Sequence, residues 1–193
     1  MVGKVAERRE ARTQEIVDVA WRLAAAEGIG GFSLRAVARE MGIRQPSLYE
    51  YFDSKLALYD AMFADGNRRL LERLDVLDLP DDPRRALKVM MHAFVDFAIE
   101  DISRQALLFS RPIPGFEPSP GAYAPAVEAL DRTTHLLRAA GMRAQGDIDC
   151  FVAMVGGLIA AQNSNDPGGN RWARQLDRLI DLYLDHLPNR RPR

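Results

Sequence analysis

The segment GIRQPSLYEYFDSK, residues 42–55, concentrates arginine, glutamine, serine and tyrosine side chains on one short piece of chain bounded by turn residues. Such side chains form hydrogen bonds with base edges and with phosphates. The chain carries no Gly-x-Ser-x-Gly, Cys-x-x-Cys or His-Glu-x-x-His motif that would supply a converging catalytic set. The chemistry of this segment is therefore better suited to binding a partner than to catalysis.

Two short helices joined by a glycine turn are predicted to position these side chains. Ser33 is the expected N-cap of the first helix. Its apolar stripe comprises Leu34, Val37, Ala38 and Met41. Gly42 tolerates the positive φ needed just past a helix end, and Pro46 suits the first turn of the second helix because its missing amide hydrogen has no intrahelical partner there. Leu48 and Phe52 lie four residues apart and predict the inner face of that second helix.

The outer face of the second helix is then polar. It comprises Arg44, Gln45, Ser47, Glu50 and Tyr51, with Tyr49 on its flank. Ser54 is the expected N-cap of the next helix, so that backbone amides from Lys55 onward favour an anion such as phosphate. A helix-turn-helix places its second helix in the major groove of DNA and holds backbone phosphates with flanking side chains and helix N-termini. The pattern therefore predicts a DNA-binding surface.

A longer helix is predicted before this pair. Its apolar stripe is Ile16, Ala20, Leu23 and Ala24, and Gly28 is its expected end. The preceding segment KVAERREAR, residues 4–12, has two interpretations. It either reaches a DNA minor groove as a basic arm or, because Glu7 and Glu10 balance its cations, forms a solvated helix start.

The sequence SLRAVAREMGIRQPSLYEYFDSKLALYDAM, which follows the helix IVDVAWRLAAAEG, resembles the N-terminal DNA-binding domain of the TetR family of bacterial regulators. The specific part covers residues 13 to about 63, with the glycine turn, the Leu-Tyr pair, the aromatic residue two positions on and a Lys-x-x-Leu continuation. The resemblance implies base-facing positions at Arg44, Gln45 and Ser47, around Pro46. It implies phosphate-holding positions at Tyr49, Tyr51 and Lys55, and backbone contacts near Ser33 and Arg35. Glu50 would either accept from a cytosine amino group or point away from the DNA.

The second half of the chain is predicted to be a separate helical core. A long helix from Lys55 to Leu77 ends at DLPDDP, and residues 84–101 form a helix whose apolar surface is broad enough to be buried on two sides. After the proline-rich loop SRPIPGFEPSPG, the stretch from Tyr123 to Ala140 predicts another helix. Its expected apolar face is Val127, Leu130, Thr134 and Leu137.

The last two predicted helices favour self-association. The first, Asp147 to Gln162, has an apolar line beside small residues that permit close helix approach: Ile148, Phe151, Val152, Val155 and Ile159, with Gly156, Gly157, Ala160 and Ala161. Asn170 is the expected cap of the final helix, whose stripe is Trp172, Leu176, Leu179, Ile180, Tyr183 and Leu187. A self-complementary pair of this kind forms a four-helix dimer interface across a twofold axis, and the family resemblance implies the same. The alternative is that both helices close the core of the monomer.

An apolar effector pocket is predicted between this pair and the methionine- and phenylalanine-rich helices. Its candidate lining is Met90, Met91, Phe94, Phe97, Phe109, Phe116, Tyr123, Phe151 and Met154. His92, His135 and His186 share no metal-ligand spacing, and Cys150 is the one cysteine, so the sequence predicts neither a metal site nor a bound cofactor.

These observations predict an all-α chain with a helix-turn-helix DNA-binding domain at residues 1–57 and a helical ligand-binding and dimerisation domain at residues 58–193. The expected function is a homodimeric transcriptional repressor that leaves a palindromic operator when a small apolar or amphipathic molecule binds. A small helical enzyme or carrier is an alternative. An architectural DNA-binding protein is another, but the formal net charge of −1 disfavours it. The composition, and the lack of an apolar run of about 18 residues, predict a cytoplasmic protein.

Overall fold

The computed structural model describes residues 2–187, and the regular elements in that range are all helical, which confirms the all-α fold. In chain order they are α1 (Val2–Glu27), α2 (Leu34–Glu40), α3 (Gln45–Tyr49), α4 (Lys55–Asp75), α5 (Pro83–Glu100), α6 (Ile102–Phe109), α7 (Pro120–Ala139), α8 (Gln145–Asn165), a 3-10 turn (Ala173–Gln175) and α9 (Leu176–Asp185).

The chain forms two compact units. The first comprises Met1–Arg69 and Asp101–Ala126, and the second comprises Leu70–Glu100 and Val127–Arg193. Two of the boundaries fall inside helices, in α4 and in α7. The functional division into residues 1–57 and 58–193 stays a prediction, and its last six residues lie outside the described range.

The core of the first unit draws side chains from five helices. Ile16 of α1, Val37 of α2, Leu48 of α3, Leu58 of α4 and Leu107 of α6 are all buried within it. Burying one such side chain stabilises a fold by about 1.5–3 kcal/mol relative to leaving it exposed. This shared core therefore holds the short helices α2 and α3, which are too short to be stable alone.

The predicted helix-turn-helix is present. The Ser33 side chain caps α2 by accepting from the amide of Ala36 at 3.1 Å. Gly42 has a φ of 66°, and the Ile43 amide donates to the Ala38 carbonyl at 3.0 Å to close the turn. The predicted end of α1 is also confirmed, because α1 stops at Glu27 and Gly28 has a φ of 80°.

Residues 101–119 also belong to the first unit. The sequence analysis did not predict this, because it assigned them to the second domain. The Ser103 hydroxyl donates to the Ala24 carbonyl at 2.7 Å, and the Phe116 ring lies 5.9 Å from that of Tyr59. Ser119 donates to the Asp60 carboxylate from its amide at 2.6 Å and from its hydroxyl at 2.7 Å. Helix α6 and the proline-rich loop are therefore attached to α1 and α4.

The second unit packs α5 against α8 and α9. The buried side chains include Leu87 and Val95 of α5, Ile159 of α8 and Ile180 of α9.

The predicted apolar face of α7 is confirmed only in part, because Leu137 is buried but two of its other members are exposed. Val127 is 43% exposed and Leu130 is 55% exposed, while Ala122, Ala129 and Leu137 are buried. Small alanine side chains allow close packing on the buried side of this helix, so two of its bulkier apolar residues point outward in the single chain.

Asn170 is not the side-chain cap of the last helix. The buried Gln162 side chain instead accepts from the amides of Trp172 and Ala173 at 2.8 and 3.1 Å. The Asp166 carboxylate accepts from the Arg171 amide at 2.8 Å, which is the main cause of its lowered pKa. Both acceptors come from the end of α8, so they tie the turn back to the helix that precedes it.

Ion pairs join α5 to α9 along matching faces. Arg84 contacts Asp181 and Asp185 at 2.7 and 2.8 Å, and the Lys88 ammonium contacts Asp181 at 2.8 Å. The hydrogen bond from Lys88 is the first cause of the lowered pKa of Asp181, and that from Arg84 is the first cause of the lowered pKa of Asp185. Charge thus reinforces the apolar contact between these two helices.

Within residues 2–187, no helix is both long and apolar enough to span a bilayer. The same part of the chain contains no group of three or more His, Cys, Asp and Glu side chains arranged to hold a metal ion.

The α5–α9 pairs predict an acid-sensitive contact. The folded pKa of each aspartate lies below the unfolded value of about 3.9, so the pairs stabilise the fold above that pH and lose their effect as the pH falls through the folded pKa. Arg84→Gln should lower the melting temperature at pH 7, and the difference from the parent should narrow as the pH falls below the unfolded pKa of about 3.9. Arg85→Gln, a substitution of the exposed neighbouring arginine, should differ little from the parent at either pH. A melting-temperature difference between Arg84→Gln and the parent that stays equally large in acid would contradict this assignment.

Candidate nucleic-acid interface

Helix α3 presents a polar surface to solvent. Arg44, Pro46 and Glu50 are exposed, and Gln45 and Ser47 are partly exposed. The Tyr49 side chain is 45% exposed, and its hydroxyl accepts from the Gln45 amide nitrogen at 3.3 Å. The segment predicted to contact bases is therefore accessible, and a side-chain hydrogen bond links the first residue of α3 to its last.

Two buried side chains fix the orientation of that surface. Leu48 is fully buried, and Phe52 is 5% exposed. Phe52 does not lie on α3 as predicted, because the helix ends at Tyr49. The amides of Tyr51 and Phe52 both donate to the Leu48 carbonyl at 3.0 Å, and this tight turn directs Phe52 into the core beside Leu48.

Serine side chains cap both helices that flank α3. Ser33 and Arg35 are exposed at the start of α2, although the Ser33 oxygen already accepts from the Ala36 amide. Ser54 caps α4, since its hydroxyl oxygen accepts from the Ala57 amide at 3.1 Å. The predicted cap of α4 is therefore present, and binding of an anion at this helix N-terminus stays a prediction.

Lys55 forms internal contacts in this conformation. Its ammonium donates to the Gly30 carbonyl at 3.0 Å and lies 4.7 Å from the centre of the Phe32 ring and 5.2 Å from that of Tyr59. Lys55 therefore ties the start of α4 to the loop before α2. Its role in holding phosphate stays a prediction, and that role requires the ammonium to exchange or share these contacts.

Tyr51 is half-buried and packs against the core of the first unit. It is therefore less accessible than the predicted outer face implied. Its hydroxyl group, rather than its ring, is the part suited to contact a phosphate.

A buried carboxylate connects α1 to α4. Asp65 is 3% exposed. Its carboxylate accepts from the Trp21 indole nitrogen at 2.9 Å and from the side-chain amide of Gln14 at 2.8 Å. The Arg69 guanidinium contacts Asp65 at 2.8 Å and Asp18 at 2.6 Å. Because two neutral donors and a cation satisfy the buried charge, the cluster fixes the position of α4 on α1.

Residues 16–62 match the family model for bacterial regulatory proteins of the tetR family. This match covers α2, α3 and the flanking parts of α1 and α4. Residues 16–62 therefore form a DNA-binding domain of the tetR type.

Individual relatives agree with this assignment. The chain is 31% identical over 126 residues to the HTH-type transcriptional regulator Rv1816 of Mycobacterium tuberculosis, a match that covers 61% of this chain and 53% of the relative. It is 28% identical over 152 residues to the class A tetracycline repressor protein of Escherichia coli transposon 1721, covering 75% and 64% respectively. The chain thus spans less than two thirds of either relative.

The fold of the whole chain is also known from solved structures. A TetR-like transcriptional regulator from Rhodococcus sp. RHA1 aligns with a TM-score of 0.65 at 22% sequence identity, over 93% of this chain and 97% of that one. At this level of identity, the likeness shows the fold alone.

The predicted effector-pocket residues fall in both units. Met90, Met91, Phe97 and Phe151 are buried in the second unit, where Phe94 and Met154 are half-buried. Phe109, Phe116 and Tyr123 belong to the first unit, where the Tyr123 ring stacks on Phe63 at 5.9 Å. The structure therefore brings six of the nine residues into one unit, and their role as a pocket stays a prediction.

Helices α8 and α9 expose apolar surface in the single chain. Val152 is 50% exposed and Leu182 is 53% exposed. Around Gly156 and Gly157 no atom lies within 4 Å of where a Cβ would be. An open groove beside them is lined by Met154, Gln175, Arg178, Leu179, Leu182 and Tyr183. Most of the predicted interface faces are instead buried within the single chain: Ile148, Phe151, Val155 and Ile159 of α8 and Leu176 and Ile180 of α9. These helices therefore close the core of the second unit, and an interface on their remaining exposed apolar surface stays a prediction.

Sequence reasoning missed the Asp65 cluster, although a signal was present. Leu58, Met62 and Asp65 follow helical spacing, so a carboxylate lies on an otherwise apolar stripe. A charge at such a position requires a partner.

Asp65→Ala should destabilise the first unit. It removes the acceptor of a buried indole and of a guanidinium, and hydrogen bonds to a charged group are worth about 1.5–3 kcal/mol each. The measurement is urea unfolding followed by Trp21 fluorescence in a Trp172→Phe background, since these are the only two tryptophans. Glu72→Ala, which removes an exposed carboxylate of the same helix, is the matched control. Equal midpoints for the two variants would refute the structural role of the cluster.

Proposed function

We propose that the chain is a homodimeric transcriptional regulator that binds a palindromic operator and represses transcription until a small molecule releases it. The observation that carries the proposal is the outward polar face of α3. This face belongs to a capped helix-turn-helix whose inner side chains, Leu48 and Phe52, are buried. The segment matched by the tetR family model includes all of it.

The base-reading part of the proposal rests on Arg44, Gln45 and Ser47. The guanidinium of an arginine suits the two acceptors of guanine, and the amide of a glutamine suits the donor and acceptor of adenine. The hydrogen bond between Gln45 and Tyr49 holds the glutamine along the outer face of α3. Gln45 is therefore oriented before DNA arrives, which lowers the entropy cost of binding.

The dimer part of the proposal rests on α8 and α9. Their exposed apolar side chains, with small residues between them, permit close packing against an identical surface across a twofold axis. A helix-turn-helix regulator needs two half-sites about one helical turn, ~34 Å, apart, so this contact would set the spacing of the two α3 helices.

The effector part of the proposal rests on the second unit. Its buried methionine and phenylalanine side chains on α5 and α8 would adapt to a small apolar or amphipathic molecule. Helix α4 has residues in both units, so a tilt of this helix would change the half-site spacing. A coupling of about 1–3 kcal/mol already changes operator occupancy some 5- to 150-fold.

Substitutions on α3 test the proposal. Binding sites are first selected from a randomised duplex library with the parent protein. Gln45→Ala should then cost about 1–3 kcal/mol and relax preference at particular bases. Tyr49→Phe should weaken binding to all duplexes and, because it frees the Gln45 side chain, also reduce part of that preference. Because the two side chains share a hydrogen bond, the double variant should lose less than the sum of the single losses.

The control for that experiment is Arg22→Gln, which removes an exposed cation of α1 outside the predicted surface. It should bind like the parent at fixed salt. If the parent selects no sequence, or if Gln45→Ala keeps the full preference of the parent, the assignment of α3 to base recognition is wrong.

A charge on α9 tests the dimer. Leu182→Glu should convert the protein to monomers in sedimentation experiments and reduce operator affinity, because the new carboxylates would lie in an apolar contact. Val76→Glu places the same charge at an apolar residue that is 82% exposed and lies between α4 and α5, so this variant should stay dimeric. A Leu182→Glu protein that sediments like the Val76→Glu protein would place the interface elsewhere.

A further inference from the structure

Arg9 is exposed at the surface, on the side of α1 nearest to the turn after α3. It precedes the fully buried Ile16 by seven residues, two helical turns, and so shares its face of the helix. Its guanidinium Nη2 donates to the backbone carbonyl of Glu50 at 2.9 Å. Its Cζ atom lies 5.5 Å from the centre of the Tyr51 ring. One side chain from the start of the chain thus contacts two consecutive residues 41 and 42 positions further on.

Glu50 and Tyr51 form the turn that ends α3. Glu50 is the C-cap residue of this five-residue helix. The amides of Tyr51 and Phe52 converge on the Leu48 carbonyl, while the Glu50 carbonyl accepts from Arg9. The turn is therefore held from the inside by the core and from the outside by a single arginine.

We propose that Arg9 is a positioning residue for DNA recognition, a clasp that holds the turn after α3 and the Tyr51 ring in place. This inference rests on the proposed DNA-binding function. It also gives one cation of the KVAERREAR segment a role within the protein, since in this conformation Arg9 contacts Glu50 and Tyr51. Arg9 acts through α3 and Tyr51 and is not itself a phosphate ligand.

The shortness of α3 makes such a clasp necessary. A helix of five residues has too few internal hydrogen bonds to fix its own direction, so its two ends determine where its side chains point. The Gly42 turn and Pro46 set the first end. The second end is set by burial of Phe52 and by Arg9.

Arginine is well suited to this role. Its planar guanidinium donates along its edge and stacks on an aromatic ring with its face, so it can hold a carbonyl and a tyrosine together. A lysine at this position keeps the charge and can contact a carbonyl and a ring, as Lys55 does, but its compact ammonium lacks the planar face that stacks on Tyr51. A glutamine loses the charge.

Three variants test the clasp: Arg9→Gln, Arg9→Lys and Arg8→Gln. Arg8 is exposed on a different side of α1, so Arg8→Gln removes an equal charge from the neighbouring position. Two measurements are made on each protein. The first is hydrogen exchange at the Tyr51 and Phe52 amides without DNA, and the second is affinity for the duplex selected by the parent over a series of salt concentrations.

Arg9→Gln should speed exchange at both amides and weaken binding about 2- to 10-fold, the equivalent of one hydrogen bond. The slope of log affinity against log salt should stay that of the parent, because no phosphate contact is lost. Arg9→Lys should lie between the parent and Arg9→Gln in both measurements. Arg8→Gln should leave exchange at Tyr51 and Phe52 unchanged.

The results that overturn the proposal are distinct. Unchanged exchange in Arg9→Gln shows that the clasp does not restrain the turn. A salt slope shallower by about 1, with unchanged exchange, makes Arg9 a phosphate ligand instead. If the parent protein binds no duplex, both the proposed function and the role of Arg9 in recognition are wrong. If Arg9→Gln weakens binding but leaves hydrogen exchange unchanged, the proposed function stands and only the clasp is wrong.

Discussion

Burial of Leu48 and Phe52 is the constraint on which the proposed activity depends. These two side chains anchor a five-residue helix and the turn after it to the core of the first unit, and the rest of α3 must then face solvent. The polar side chains of that outer face hold fixed positions only because the inner face is anchored in the core. A short helix free to rotate would present different side chains from one molecule to the next, and specific base recognition requires a held geometry.

The surroundings of α3 supply the rigidity that the helix lacks. Lys55 joins the start of α4 to Gly30, and the Asp65 cluster joins the middle of α4 to α1. Residues 101–119 are attached to the same body through Ser103, Phe116 and Ser119. An effector signal that reaches the recognition helix would therefore move this body as a whole, rather than bending α3 itself.

Sequence alone predicted the features whose cause is local. Examples are the capping serines, the Gly42 turn and the inner face of the helix-turn-helix. Each depends on residues at most a few positions apart, so local sequence patterns are enough to predict it. The features it missed are long-range: Lys55 bonds 25 residues back, and Ser119 bonds to Asp60, 59 residues away. The α7 error has a different cause, since periodicity favours bulky apolar residues, whereas close packing buried the alanines of that helix.

The most direct measurement is the map of backbone amide signals that shift when the isotope-labelled protein binds its selected duplex. The account predicts that the largest shifts fall in residues 44–50, with further shifts at Ser33, Arg35 and the first turn of α4. Shifts confined to α7, α8 and α9, or a spectrum unchanged by any duplex, would contradict the claim that α3 is the surface that reads DNA.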